Sequence, residues 1–419
     1  MDDSHDPLQC IKQLRQTLAA DKLSLGFLLG AGCPCAIRVP RSNGDGDAPL
    51  IPDLAGLTRI VVSEISRSTE YKAPFNTLMA VLNEDKYPDP NVEIILSRIR
   101  TLREAAGNAK VRNLSAKELD DLDREVCQVI SKTVACDLPG DNTPYHSLAR
   151  MAGRHPVPPF EIFTTNYDLL TEQAFESLRL PFFDGFIGSS RPYFDQRAIE
   201  DDPLPPRWSL LWKLHGSIHW RFNNASRAIT RSREQSDGQE LLIHPSHRKY
   251  DESRRMPYLV MVDRLKGFLR NQKQPVALFV IGHSFSDEHL NETIVESLKA
   301  NASAACFALQ YDNMAKYPML AALAKAEANL TVLARDVAII RRREAQWLAR
   351  PSTDIAAFGG AFELIKTESD TADEPAAPQS PDEDTETPRP CRFHLGDFAR
   401  FGAFLDDLAG YVTPSETGT

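Results

Sequence analysis

Residues able to do chemistry fall where apolar runs of the chain give way to small or polar residues. His215 follows Leu214 and precedes Gly216-Ser217. An imidazole titrates near neutrality, and a neighbouring glycine leaves room for a substrate, so this position suits a general base. A structural histidine held by hydrogen bonds has the same local pattern. Asn166 and Asp168 stand two apart in Thr164-Thr165-Asn166-Tyr167-Asp168. Both can aim polar groups into one crevice, and a neutral amide can hold a ribose hydroxyl or a water without adding charge. The same spacing also makes an Asx-type turn in which Asp168 caps a helix from Leu169. Gly30-Ala31-Gly32-Cys33-Pro34 closes another apolar run. Such a turn lets backbone approach a pyrophosphate whose charge faces a helix N-terminus, with Pro34 suited to a first helical position. Glycine there can equally serve packing. Gly282-His283-Ser284-Phe285-Ser286-Asp287 offers a second turn of phosphate or ribose size, with Ser286 or Asp287 available to cap the helix after it. His219, His244, His247, His283 and His289 share no metal-ligand spacing.

The elements that must carry these groups read as short buried strands: Leu25–Leu29, Glu161–Thr164, Leu210–Leu214, Val276–Ile281 and Cys306–Gln310, with Leu330–Leu333 a sixth candidate. Helical patterns fall between several of them, for example Leu290, Ile294, Val295 and Leu298 after Ser286. Strands alternating with helices predict an α/β fold, a Rossmann-like doubly wound parallel sheet whose ligands lie beyond the carboxyl ends of its strands. About 130 residues separate the first two strands, too many for one crossover. Within them Val92–Ala105 and Lys117–Val134 have helical periodicity, which predicts a helical insertion domain. Cys35 occupies the place of the third glycine of the dehydrogenase fingerprint. No second strand with an acidic ribose ligand follows about 20 residues on, which disfavours a hydride-transfer enzyme.

The expected organisation is an N-terminal helix at 1–22, a Rossmann-like domain at 23–57 and 140–340, and the insertion at 58–139. A C-terminal helical extension is expected at 341–366, including a charged helix at Arg341–Arg350. Residues 367–390 are expected to form a disordered acidic linker, and 391–419 an amphipathic segment that docks on the body or contacts a neighbour. The stretch Arg221–Gln239 reads as a flexible loop.

The chain has 419 residues, 42% apolar and 25% charged, and a formal net charge of −10. That length implies two or three domains and that balance a globular enzyme. Much of the negative charge lies in Thr367–Pro390, where eight carboxylates face Arg389 alone. The remainder is close to neutral, which argues against a broad nucleic-acid-binding face. No apolar run reaches the roughly 18–20 residues that span a bilayer, and the N-terminus lacks the pattern of a secretory signal. Seven scattered cysteines fit reduced thiols in a cytoplasmic protein better than a disulfide framework.

In their order, Gly30-Ala31-Gly32, Thr165-Asn166-Tyr167-Asp168, His215-Gly216 and Gly282-His283-Ser284 resemble the motifs of the sirtuin superfamily. They most resemble the sirtuin-like domains of prokaryotic antiphage defence proteins. Ile51-Pro52-Asp53 matches the Ile-Pro-Asp that follows the sirtuin glycine loop, Asn166 and Asp168 match the Asn and Asp of Thr-Gln-Asn-x-Asp, and His215-Gly216 matches the catalytic His-Gly. The resemblance runs over roughly 23–333. It departs in two places. The two Cys-x-x-Cys pairs of the deacylases are absent, with no cysteine between Cys136 and Cys306, so no zinc is expected. Gly282-His283-Ser284 also replaces Gly-Thr-Ser.

The resemblance implies hydrolysis of NAD+ as substrate to nicotinamide and ADP-ribose. In the implied catalytic set, Asn166 holds the water and ribose, and His215 is the base. Asp53 lies near the nicotinamide carboxamide, and Asp168 supports the site. Gly30, Ala31, Gly32, Gly282 and Ser284 line the diphosphate and adenosine ribose. It also implies a homo-oligomer gated by a HerA-type DNA-translocating ATPase, with no direct sequence-specific contact to nucleic acid and no membrane. Two other readings stay open: an NAD-dependent protein deacylase or ADP-ribosyltransferase, and a non-catalytic subunit that binds NAD or ADP-ribose.

Overall fold

Strands with apolar side chains on both faces can only be satisfied inside a sheet covered on both sides, and the chain builds such a sheet. The computed structural model describes residues 4–41, 46–140, 142–154, 158–200, 207–223, 226–232, 239–243, 252–350, 353–365 and 388–411. The fold is mixed α/β, with a mostly parallel central sheet. The chain divides into two compact units, one of 1–27 with 268–419 and one of 28–267. The strand Ser24–Leu29, buried at every residue, passes through the division.

In the first unit the sheet order is Phe362–Leu364, Arg389–Phe393, Arg343–Ala349, Val337–Ile340, Leu330–Leu333, Ala304–Leu309, Val276–Ile281 and the start of Ser24–Leu29. Val276–Ile281 and Ala304–Leu309 pair in parallel from Val276–Ala304 to Ile281–Leu309, and Leu330–Leu333 continues in parallel. The helix Glu288–Ala300 begins at Asp287, whose carboxylate accepts from the N–H groups of His289 and Leu290, both at 3.1 Å. Of the two candidates, Ser286 and Asp287, it is Asp287 that caps the helix.

Beyond Leu333 the sheet turns antiparallel, which corrects the expectation of a charged helix at Arg341–Arg350 and of a helical extension at 341–366. Val337–Ile340 and Arg343–Ala349 form a hairpin. Its two turn residues, Arg341 and Arg342, have φ of 51° and 69°, as a type I′ turn demands. The physical cause is a period of two: Ala345, Trp347 and Ala349 are buried while Glu344 and Gln346 are exposed. Charge density around the turn hides that alternation.

Residues 366–387, most of the expected acidic linker, lie outside the described residues, and Arg389–Pro390 at its far end are strand. The last helix, Phe398–Leu408, buries Phe398, Phe401, Phe404 and Leu405. The Phe401 ring lies 5.9 Å from Phe27. Arg15, on the helix Pro7–Leu18, pairs with Asp407 at 2.6 Å and lies over the Phe404 ring. The amphipathic tail therefore docks on its own chain. Gly396 makes the approach feasible, because a side chain there would collide with the backbone of Gln310.

In the second unit the end of Ser24–Leu29 is followed by Glu161–Thr164, Ser209–Lys213 and Phe182–Phe183. Glu161–Thr164 and Ser209–Lys213 pair in parallel with Lys213 opposite Thr164. A separate antiparallel sheet runs Gln239–Ile243, Gly216–Asn223, Ala228–Arg231, Tyr193–Phe194 and Phe186–Ile187. Three of its strands occupy much of Arg221–Gln239, so this stretch is not the loop expected from its polarity; 233–238 lie outside the described residues.

The insertion is helical: Leu54–Arg67, Lys72–Glu84, Val92–Ala106 and Ala116–Val134. Ser115 and Glu118 form a reciprocal capping box at the last of these. Ile95, Ile99, Leu122, Val126 and Ile130 are fully buried. Arg100–Asp123 at 2.6 Å and Arg103–Asp120 at 2.8 Å fasten the outer sides of the last two helices.

Candidate functional site

The strand Glu161–Thr164 ends where its side chains become hydrogen-bonding groups. Thr164 Oγ1 donates to the carbonyl of Leu29 at 3.1 Å and accepts from the N–H of Asn166 at 3.0 Å. The amide of Thr165 donates to the same Leu29 carbonyl. One threonine therefore fixes the departure of the chain from the strand. Asn166 is buried, and its Nδ2 donates to the carbonyl of Gly30 at 3.1 Å. The ring of Tyr145, from the helix Pro144–Arg154, is buried beside Asn166. The Gly-Ala-Gly turn and the Asn166 amide are thus in direct contact.

Gly30 is buried and Gly32 exposed, and Gly32–Cys35 form a single helical turn. Cys33 lies fully buried beside them, and burial pushes its thiol well above the usual range. It is a packed thiol and not a nucleophile.

His215 sits in a two-residue turn between Ser209–Lys213 and Gly216–Asn223, half-buried. Gly216 has φ of 91°, a conformation that admits glycine, and there the chain leaves the parallel sheet for the antiparallel one. Two backbone bonds bind this turn to the Asn166 segment: Leu214 N–H to Thr164 O at 2.8 Å and Ile218 N–H to Tyr167 O at 3.1 Å. They lie on either side of Asn166 in one segment and of His215 in the other. The two segments therefore run alongside each other as one bracket.

Asp168 is buried, and its carboxylate accepts from Leu170 N–H at 3.0 Å, ahead of the helix Leu170–Ser177. Burial pushes its pKa up to about 6, against the opposing pull of Lys213 and the Leu170 N–H; Glu172 adds to the rise. Lys213, also buried, donates to the main-chain carbonyl of Asp168 and to Glu172 Oε1 at 2.8 Å. Asp53 is exposed and caps the helix Leu54–Arg67, accepting from Gly56 N–H at 2.7 Å.

Gly282 and Ser284 lie in the first unit, after Val276–Ile281. Gly282 and Phe285 have φ of 66° and 57°, and the Ser284 hydroxyl meets that of Ser286 at 3.0 Å. Among the described residues no group of three or more His, Cys, Asp or Glu side chains is placed to hold a metal ion. No described helix is long and apolar enough to cross a membrane.

Three participants were missed in the sequence: Tyr145, Glu172 and Lys213. Tyr145 gives no local signal. Lys213 does, because a charge closing the apolar run Ser209–Lys213 cannot be buried without a partner.

Residues 161–333 match the family model of the SIR2-like domain, a span that includes Asn166, Asp168, His215, Gly282 and Ser284. No curated protein matches the chain. Among solved structures, a mutant Sir2 homologue in complex with ADP-ribose is similar at 12% identity, covering 72% of this chain and 85% of that one, with a TM-score of 0.34. The stretch that carries the Asn166 and His215 segments is thus similar, by its own sequence, to the SIR2-like domain.

Proposed function

We propose that the chain hydrolyses NAD+ to nicotinamide and ADP-ribose. The observation that carries this reading is the bracket of backbone bonds between the Asn166 and His215 segments, with Asn166 on the carbonyl of the glycine turn. The nicotinamide of NAD+ is a cationic leaving group and needs no general acid. Its bond to ribose breaks through an oxocarbenium-like state, as in other glycosidic cleavages. The protein then has to hold the sugar, support positive charge and present a nucleophile.

A carboxamide has two N–H donors. In Asn166 one is spent on Gly30 O, which fixes the plane of the amide; the amide then orients the ribose and the attacking water. His215 takes the proton of that water or of a ribose hydroxyl. Asp53 meets the nicotinamide carboxamide, and Gly30, Ala31 and Gly32 line the diphosphate. Asp168 serves by shaping the turn behind Asn166.

Assembly as a homo-oligomer with a HerA-type ATPase and a role in antiphage defence follow from the resemblance alone, and cytoplasmic location rests on the scattered cysteines. Co-purification with such an ATPase tests the partner.

The reading itself is tested by incubating the protein with NAD+ and no other substrate. Equimolar nicotinamide and ADP-ribose are expected. Turnover that appears only when an acylated peptide is added would mean a deacylase, and ADP-ribose binding without nicotinamide release a non-catalytic subunit.

A further inference from the structure

We propose that Lys213 is a positioning residue for this reaction, locking the Asn166–Asp168 turn to the strand end that leads into His215. The inference rests on the roles given above to Asn166 and His215.

Lys213 is 2% exposed and closes the strand Ser209–Lys213, two residues before His215. Its ammonium has three N–H donors and no acceptor, so it can hold two acceptors at once. One partner is the main-chain carbonyl of Asp168, the last residue of the Asn166-Tyr167-Asp168 turn. The other is the carboxylate of Glu172, at 2.8 Å, in the first turn of the helix Leu170–Ser177. The backbone bonds Leu214–Thr164 and Ile218–Tyr167 hold the turn at its start and middle. Lys213 holds its end. With all three in place, the amide of Asn166 cannot move relative to the turn that carries His215 without breaking a buried bond.

Packing alone does not call for this ion pair. A well-packed apolar pair of like volume often serves a fold as well as a buried salt bridge or better. What the ammonium adds is a directed bond to a carbonyl in the loop that bears Asn166. Misplacement of a reacting group by about 1 Å can cost about 10²-fold in rate.

The single change Lys213→Met would strand the Glu172 carboxylate, so the informative variant is Lys213→Met/Glu172→Leu, which removes both charges. It should unfold cooperatively near the wild-type temperature and bind ADP-ribose within about threefold, yet lose about tenfold or more in kcat. Lys213→Gln, which keeps a donor without the charge, should recover part of that loss. Wild-type protein that releases no nicotinamide from NAD+ would refute the proposed reaction itself. Given wild-type turnover, three results would overturn the role of Lys213: a double variant with wild-type kcat, one whose ADP-ribose binding falls in step with kcat, or one that no longer unfolds cooperatively. Lys213→Gln that folds but turns over no faster than the double variant would also count against it.

Discussion

The corner around Asn166 and the corner around Trp347 are both built on strand ends and tight turns, but different forces hold them. At Asn166 the buried groups are polar: Thr164, Asn166, Asp168 and Lys213 are tied by directed hydrogen bonds, with the part-buried Glu172 on Lys213. At Trp347 they are rings. Its indole is 4.8 Å from Phe362 and 5.9 Å from Phe393, and those two are 5.3 Å apart. One directed bond, from Trp347 Nε1 to Ala334 O at 2.9 Å, sets the orientation of the indole. Apolar packing is non-directional and scales with buried area. Directed bonds fix positions but contribute little net stability. The aromatic corner should therefore govern whether its unit folds, and the polar corner what the protein does.

Substitutions can break that contrast. The largest effect is expected on rate: Asn166→Ala or His215→Ala should lower nicotinamide release by about 10²–10⁴, with cooperative thermal unfolding retained. In the aromatic corner, Trp347→Ala should cost about 3–5 kcal/mol in chemical denaturation, while the turnover of the molecules that remain folded is unchanged. Loss of rate per folded molecule in that variant would blur the division between the two corners.

Asp168 sharpens it through pH. Burial raises its pKa from the usual 3.8 to about 6. Between those values the folded chain binds more protons than the unfolded one, so the contribution of Asp168 is full below 3.8 and is lost as pH rises through about 6. Urea midpoints should show this fall between pH 4 and 7, and Asp168→Asn should remove it. A fall of the same size in the variant would assign it to another group. The smallest effect belongs to the hairpin turn. Arg342→Gly relieves a left-handed φ of 69° and should stabilise the protein by about 1 kcal/mol.

The parallel strands were legible because a run buried on both faces is apolar throughout. Glu161–Thr164, Val276–Ile281 and Leu330–Leu333 have the expected bounds, and Ser209–Lys213 is shifted by one residue. The hairpin Val337–Ala349 was hidden for the opposite reason. In its second strand only alternate residues from Ala345 on are buried, charged residues open that strand, and arginines fill a turn that usually signals itself with Asn-Gly. Of the site, the turn residues could be read one at a time as candidates. Their partners could not, since Lys213 meets Asp168 and Tyr145 meets Asn166 only once the elements have packed.

The most direct test of the account is a double-mutant cycle on the rate of nicotinamide release from NAD+, with Asn166→Ala, His215→Ala and the two combined. Groups that act together on one bond-breaking step are strongly non-additive. The double variant should then be about as slow as the slower single variant. A double variant slower by the product of the two single losses, or singles that turn over at the wild-type rate, would show that the amide and the imidazole do not serve the same reaction centre.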